Sequence, residues 1–235
     1  MIKSVSFLAR RPELSREAFL RHWTEVHAPM CHEVPGLRGY VLCLPVLEHA
    51  RGDVPALEMA PFDGIAQTWF DDLEARARAA ASEAGRRWHA DGASIIGGIR
   101  TFVTEEQVVL PVQGDGTAHP PFKALTVIRR REDSTPEAFH HHWRVVHADM
   151  ARGVPELRGF VLSGIVEEQF RADIAPFPME GPIDGFAESW FDSLDARARM
   201  VASPEARRWF ADGATFLGRV KTILLAERVM IPPPR

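Results

Sequence analysis

The chain has 235 residues and a net charge of −4, with 28 basic side chains against 32 acidic ones. That balance carries no basic footprint for nucleic acid, and no stretch approaches the roughly 18 unbroken apolar residues of a membrane span. Two cysteines, Cys31 and Cys43, are too few for a disulfide framework, and the apolar run before Arg10 is short for a secretory signal, so a cytoplasmic protein with reduced thiols is expected.

In chain order, IKSVSFLAR reads as a strand rich in β-branched and aromatic residues. Ser15 can cap the helix that follows, with Glu17 in its first turn, and Phe19, Trp23, Val26, His27 and Met30 form one apolar stripe. LRGYVLCLP is a second strand, Pro45 to Pro61 a long Pro-rich loop, and DGIAQTWF a third strand. DDLEARARAAAS and EAGRRWHADG are helical, the latter stopped by Gly, and GGIRTFVTEEQVVL closes the unit as a strand. The Gly- and Pro-rich run LPVQGDGTAHPP then marks a linker.

After the linker the pattern repeats. RHWTEVHAPM returns as HHWRVVHADM, with Thr135 in the capping position. Phe19, Trp23, His27, Met30 and Arg38 recur at one constant offset as Phe139, Trp143, His147, Met150 and Arg158. Asp63, Trp69, Trp88 and Asp91 recur one residue later still, as Asp184, Trp190, Trp209 and Asp212, so the second loop, Ile165 to Pro182, is longer by one. The predicted division is 1–110, a linker at 111–121, and 122–235. The class is α+β, with two tandem ferredoxin-like βαββαβ units. Each bare sheet face is covered by the other copy, so one chain builds an intramolecular dimeric barrel.

The combination F…HW…VHA.M, then VP.LRG.V, then DG.A..WF, resembles the EthD family of dimeric α+β barrel proteins, across both halves. The resemblance implies that fold. It also implies relatives that include cofactor-free cyclases, decarboxylases, dehydratases and isomerases of small, often aromatic, molecules.

The residues offer these candidates for chemistry. His27 and His147 suit general acid–base work, or a core His bonded to its neighbours. His22 and His142 lie five residues earlier, about 140° around an α-helix, and are expected to diverge from them. His140, His141 and His142 are expected to be mostly solvated. Arg38 and Arg158 can hold a carboxylate or phenolate, or pair with acids such as Asp63 and Asp184. Tyr40, opposite Phe160, can donate a proton beside His27. Glu188, opposite Gln67, is a mid-strand carboxylate that is either an active base or paired with a cation. Trp23, Trp143, Gln67 and His89 complete the expected substrate contacts, and the ARAR runs read as solvated helix faces. No metal-ligand spacing is present, so neither metal nor cofactor is expected.

The leading expectation is a cofactor-independent lyase. It would act on a small aromatic or phenolic metabolite by proton transfer, releasing carbon dioxide, water or formaldehyde, with a cyclase or isomerase as close cousin. The rivals are a non-catalytic carrier of a hydrophobic ligand that aids an oxygenase, and a haem-dependent barrel enzyme. A homodimer is allowed; nucleic acid and membrane partners are not expected. The unequal halves predict one productive site, in the first half, and the long loops are expected to cover pocket mouths or a chain–chain contact.

Overall fold

The computed structural model describes residues 1–112 and 122–234, so most of the predicted linker, 113–121, lies outside the described residues. The first half runs β1 (Ile2–Arg10), α1 (Arg16–His22), β2 (Gly39–His49), β3 (Gly64–Phe70), α2 (Leu73–Ala81), α3 (Glu83–Ile95) and β4 (Ile96–Leu110). The second half runs β5 (Phe122–Arg130), α4 (Pro136–His141), α5 (Ala148–Ala151), β6 (Gly159–Gln169), β7 (Ala175–Pro176), β8 (Gly185–Phe191), α6 (Leu194–Ala202), α7 (Pro204–Phe216) and β9 (Leu217–Ile231). The caps read from sequence form: Ser15 Oγ accepts from the Ala18 N–H at 3.1 Å, and Thr135 Oγ1 from the Ala138 N–H at 3.2 Å.

The strands follow the order β1-β3-β2-β9-β5-β8-β6-β4, and β4 returns to β1, closing a barrel. Each half supplies its four predicted strands, and β7 adds two residues beside β4. The barrel is held by exchange of long strands more than by two sheets laid face to face. β4 and β9 are 15 residues long and reach past their own sheets; β4 pairs with β6, and β9 with β2. Full closure leaves no long strand edge unpaired among the described residues. Both β2 and β6 run further than the sequence suggests, to His49 and Gln169, so the connecting loops begin later than Pro45 and Ile165.

The period of two sorts every strand. On β1, Val5 and Phe7 point into the barrel, where they pack with Val41, Phe102, Phe186 and Ile223. Leu8 points outward into a separate core with Phe19, Trp23, Tyr40 and Trp88, beneath the first-half helices. A matching outer core in the second half gathers Phe139, Trp143, Phe160 and Trp209. The glycine of each DG pair has a packing cause. A Cβ on Gly64 would overlap the Trp23 ring, and one on Gly185 the Trp143 ring.

Candidate active site

Glu188 and Gln67 sit in the barrel interior, outside the walls of the two cavities described below. Both are buried, and they touch each other: Gln67 Nε2 donates to Glu188 Oε1 at 2.7 Å. Lys123 Nζ reaches Glu188 at 2.9 Å, Glu227 at 2.6 Å and Gln67 Oε1 at 2.7 Å. Lys3 binds the other Glu188 oxygen and Glu106. The rims are tied by indoles, Trp69 Nε1 to Glu106 at 2.7 Å and Trp190 Nε1 to Glu227 at 2.8 Å. Burial alone would raise the Glu188 carboxyl, but the ammonium groups of Lys123 and Lys3 outweigh it and hold the carboxyl at about 2. A base held that low takes no proton from a substrate near pH 7. The Gln67–Glu188 difference between halves is therefore a packing device. These two positions meet across the internal two-fold, and one fused chain can place an amide against a carboxylate there.

Arg38 and Arg158 also stand outside the cavities. Arg38 is exposed and forks onto Asp71, with Nη2 to Oδ2 at 2.7 Å, and Arg158 binds Asp192 at 2.6 Å. The acids at the third-strand starts are taken by other arginines: Asp63 by Arg10 and Asp184 by Arg130.

The remaining candidates converge. In the first half a cavity of about 240 Å³ lies between the barrel's outer face and the helices, and its walls include Trp23, His27, Tyr40 and His89. In the second half a cavity of about 220 Å³ occupies the matching place, with Trp143 and His147 on its wall. Each is roofed by the opposite half. Gln169, Phe170 and Arg171 close over the first, and His49 to Asp53 over the second.

His27 owes its setting to a π turn. From Trp23 to His27 the helix widens, and the Ala28 N–H reaches back five residues to the Trp23 carbonyl. Residues five apart, which diverge on an α-helix, share a face on a π turn. His22 and His27 therefore do not diverge: both grip Asp91, His22 Nε2 to Oδ1 at 3.0 Å and His27 Nδ1 to Oδ2 at 2.8 Å. His142 and His147 hold Asp212 in the same way, at 2.9 and 2.7 Å, so His142 is engaged and not merely solvated. A carboxylate only accepts, so His27 Nδ1 carries the proton and Nε2 keeps the lone pair. Burial pushes His27 below the ordinary histidine range despite Asp91 and His147 to about 4 despite Asp212, so both rings are neutral near pH 7.

Around that base the first cavity places donors. Tyr40 is fully buried, its oxygen accepts from Trp23 Nε1 at 3.3 Å, and burial drives the phenol well above its usual range, so its O–H remains a donor. Ser4 Oγ is buried without any hydrogen-bond partner among the described residues. Arg76 binds only Gln169 of the roof, and no carboxylate among the described residues pairs with it. Sequence reasoning missed Asp91, Asp212 and Arg76. The signal for Arg76 was present, because Arg76, Ala79 and Ala80 fall at i, i+3 and i+4 on one helix face, and all three line the cavity.

A model of the EthD domain matches residues 11–98 and 131–219. The chain belongs to the EthD family. Among curated relatives of this EthD protein, the 4-carboxymethyl-4-methylbutenolide mutase of Pseudomonas reinekei is 31% identical over 108 residues, which are 46% of this chain and the whole of the mutase. Two solved structures share the fold end to end. One, described as a candidate monooxygenase of Fusobacterium nucleatum, has a TM-score of 0.64 at 10% identity, covering 100% of this chain and 95% of its own. The other, similarly described and from Lactobacillus acidophilus, has a TM-score of 0.58 at 13% identity over 97% and 94%. Among the described residues no helix is long and apolar enough to cross a membrane, and no three His, Cys, Asp or Glu side chains gather as a metal cluster would.

Proposed function

We propose that the first-half cavity isomerises a small, carboxylate-bearing unsaturated lactone or related acid by proton transfer. One observation carries the reading: His27, fixed through Nδ1 by Asp91, presents Nε2 as a neutral base on the wall of a cavity that also holds Arg76. Arg76, which bonds Gln169 and feels Glu167 through space without a direct ion pair, is the counter-charge for a substrate carboxylate. A C–H bond of the carboxymethyl methylene breaks, and its proton passes to His27 Nε2. The electron pair forms a C=C bond as the neighbouring ring C–O bond breaks, and the Tyr40 or Ser4 hydroxyl donates a hydrogen bond to the carboxylate oxygen that is released. The other carboxylate then adds to the conjugated diene, and the imidazolium, steadied by Asp91, returns the proton to a different carbon, so an isomeric lactone forms and no atom is gained or lost.

The name of the Pseudomonas reinekei mutase supports a substrate of this kind, since it acts on a butenolide that bears a carboxymethyl group. A lyase acting on a phenolic compound begins with the same proton transfer, and the likeness to a mutase favours isomerisation over loss of a fragment. The test is incubation with 4-carboxymethyl-4-methylbutenolide and related carboxymethyl butenolides, followed by proton NMR. Conversion to an isomer of equal mass that His27→Gln abolishes is expected. Tight binding without conversion by the folded wild type would instead identify a carrier.

A further inference from the structure

We propose that the second-half cavity is a separate binding site for a small organic monocarboxylate with an apolar body, and that Arg197 is its anchor. The claim does not depend on what the first cavity catalyses.

Arg197 is on α6 at the place Arg76 holds on α2. Its Nε is buried without a hydrogen-bond partner, and none of its guanidinium nitrogens is bonded or ion-paired among the described residues. A guanidinium lining a cavity in this condition lacks an acceptor, and a planar carboxylate supplies two. The other charges at the site are spoken for. Arg51, in the roof, forks onto Asp53, donates to the Phe210 carbonyl at 2.8 Å and lies over the Phe210 ring at 4.8 Å. His147 is held by Asp212. His49, also in the roof, is drawn below the ordinary histidine range by burial and by Arg197 and Arg51, so it is neutral and adds no second cation beside Arg197.

The walls set the rest of the ligand. Where the first cavity has Ser4, Tyr40, Ala79, Ala80 and His89, the second has Ala124, Phe160, Met200, Val201 and Phe210. Three polar groups give way to apolar ones, and two small side chains to larger ones. Such a wall favours a ring or short chain over a body rich in hydroxyl or carbonyl groups, since Thr126, Ser189 and Thr222 are the hydroxyls left on it. The two cavities thus select different acids: polar and oxygenated in the first, apolar in the second.

Met200 lines the second cavity and has alanine at its counterpart, which makes it a site-specific reporter. Protein labelled with ¹³C at the methionine methyls, with Met200 assigned through Met200→Leu, is titrated with phenylacetate and separately with neutral phenylacetamide. Phenylacetate should shift the Met200 resonance to saturation, at least about tenfold more tightly than the amide. Arg197→Met should remove that preference, while Arg76→Met should leave it intact. If Arg197→Met fails to fold, the comparison of acid with amide on the wild type still decides. No Met200 shift with phenylacetate, equal affinity for the amide, or loss of the shift in Arg76→Met alone would each overturn the proposal. A dead first cavity would not, since Met200 does not report on it.

Discussion

Gln67→Glu tests whether the barrel centre needs its asymmetry. Wild-type Gln67 meets two charged groups: its Oε1 accepts from Lys123 Nζ at 2.7 Å, as well as from the Cys43 thiol at 3.6 Å, and its Nε2 donates to Glu188 Oε1 at 2.7 Å. A glutamate keeps the first contact and replaces the donor with a second anionic oxygen, in a place that is 1% exposed at residue 67 and 0% at residue 188. The lost hydrogen bond to a charged group is worth about 1.5–3 kcal/mol, before repulsion is counted. Lys123 offsets part of that repulsion, and protonation caps the whole. Once protonated, the introduced carboxyl donates as the amide did, and keeping that proton costs about 1.4 kcal/mol for each pH unit above roughly 4.3, hence near 1 kcal/mol at pH 5 and about 5 at pH 8. The folded variant thus holds a carboxyl whose pKa is raised above its unfolded value. It binds more protons than the unfolded chain, and its stability falls as pH rises. Urea denaturation should show a deficit against wild type of about 2–4 kcal/mol at pH 8, shrinking to about 1 or less at pH 5. A deficit that stays the same from pH 5 to 8, or none at all, would refute the reasoning.

Other outcomes follow from the same geometry. Asp91→Asn should reduce turnover on the order of 10²-fold with little change in substrate affinity, read from kcat and KM separately, because the fixed tautomer and the imidazolium partner are lost. Arg38→Ala should change neither turnover nor affinity, as its guanidinium faces Asp71 at the surface. His147 has a folded pKa of about 4 against 6.5 unfolded, so the unfolded chain binds more protons between those values. Wild-type stability should therefore fall as pH drops from 6.5 to 4, by about 3 kcal/mol from this ring alone, and His147→Asn should flatten that limb in pH-dependent urea midpoints. Turnover should survive prolonged treatment with EDTA, checked by the same NMR assay; loss restored by a divalent metal would show a metal-dependent step.

The fold was largely legible because each level agreed. Repeated Trp–His helices, capping residues at Ser15 and Thr135 and alternating strands all pointed to two ferredoxin-like copies. What stayed hidden was the partner across space. Period two places Glu188 and Trp190 on one face, but does not say that this face closes around Lys3 and Lys123. The expected divergence of His22 from His27 assumes a regular α-helix, and the π turn at Trp23–His27 reverses it. The ARAR runs looked like ordinary surface charge, although Arg197 shares its helix face with Met200 and Val201, as a buried residue would. The crossing of each roof to the opposite half depends on β4 and β9 reaching past their own sheets, which no local signal encodes.

Solvent exchange tests the proton-transfer site most directly. In D₂O, with a carboxymethyl butenolide as substrate, the wild type should wash deuterium into the carboxymethyl methylene, seen as loss of its proton signal. His27→Gln should suppress the exchange on the order of 10²-fold or more, and Arg76→Met should weaken it mainly by raising the substrate concentration required. Exchange undiminished in folded His27→Gln, or absent from the wild type while isomerisation proceeds in fully deuterated solvent, would contradict a base at His27 working through an exchangeable proton.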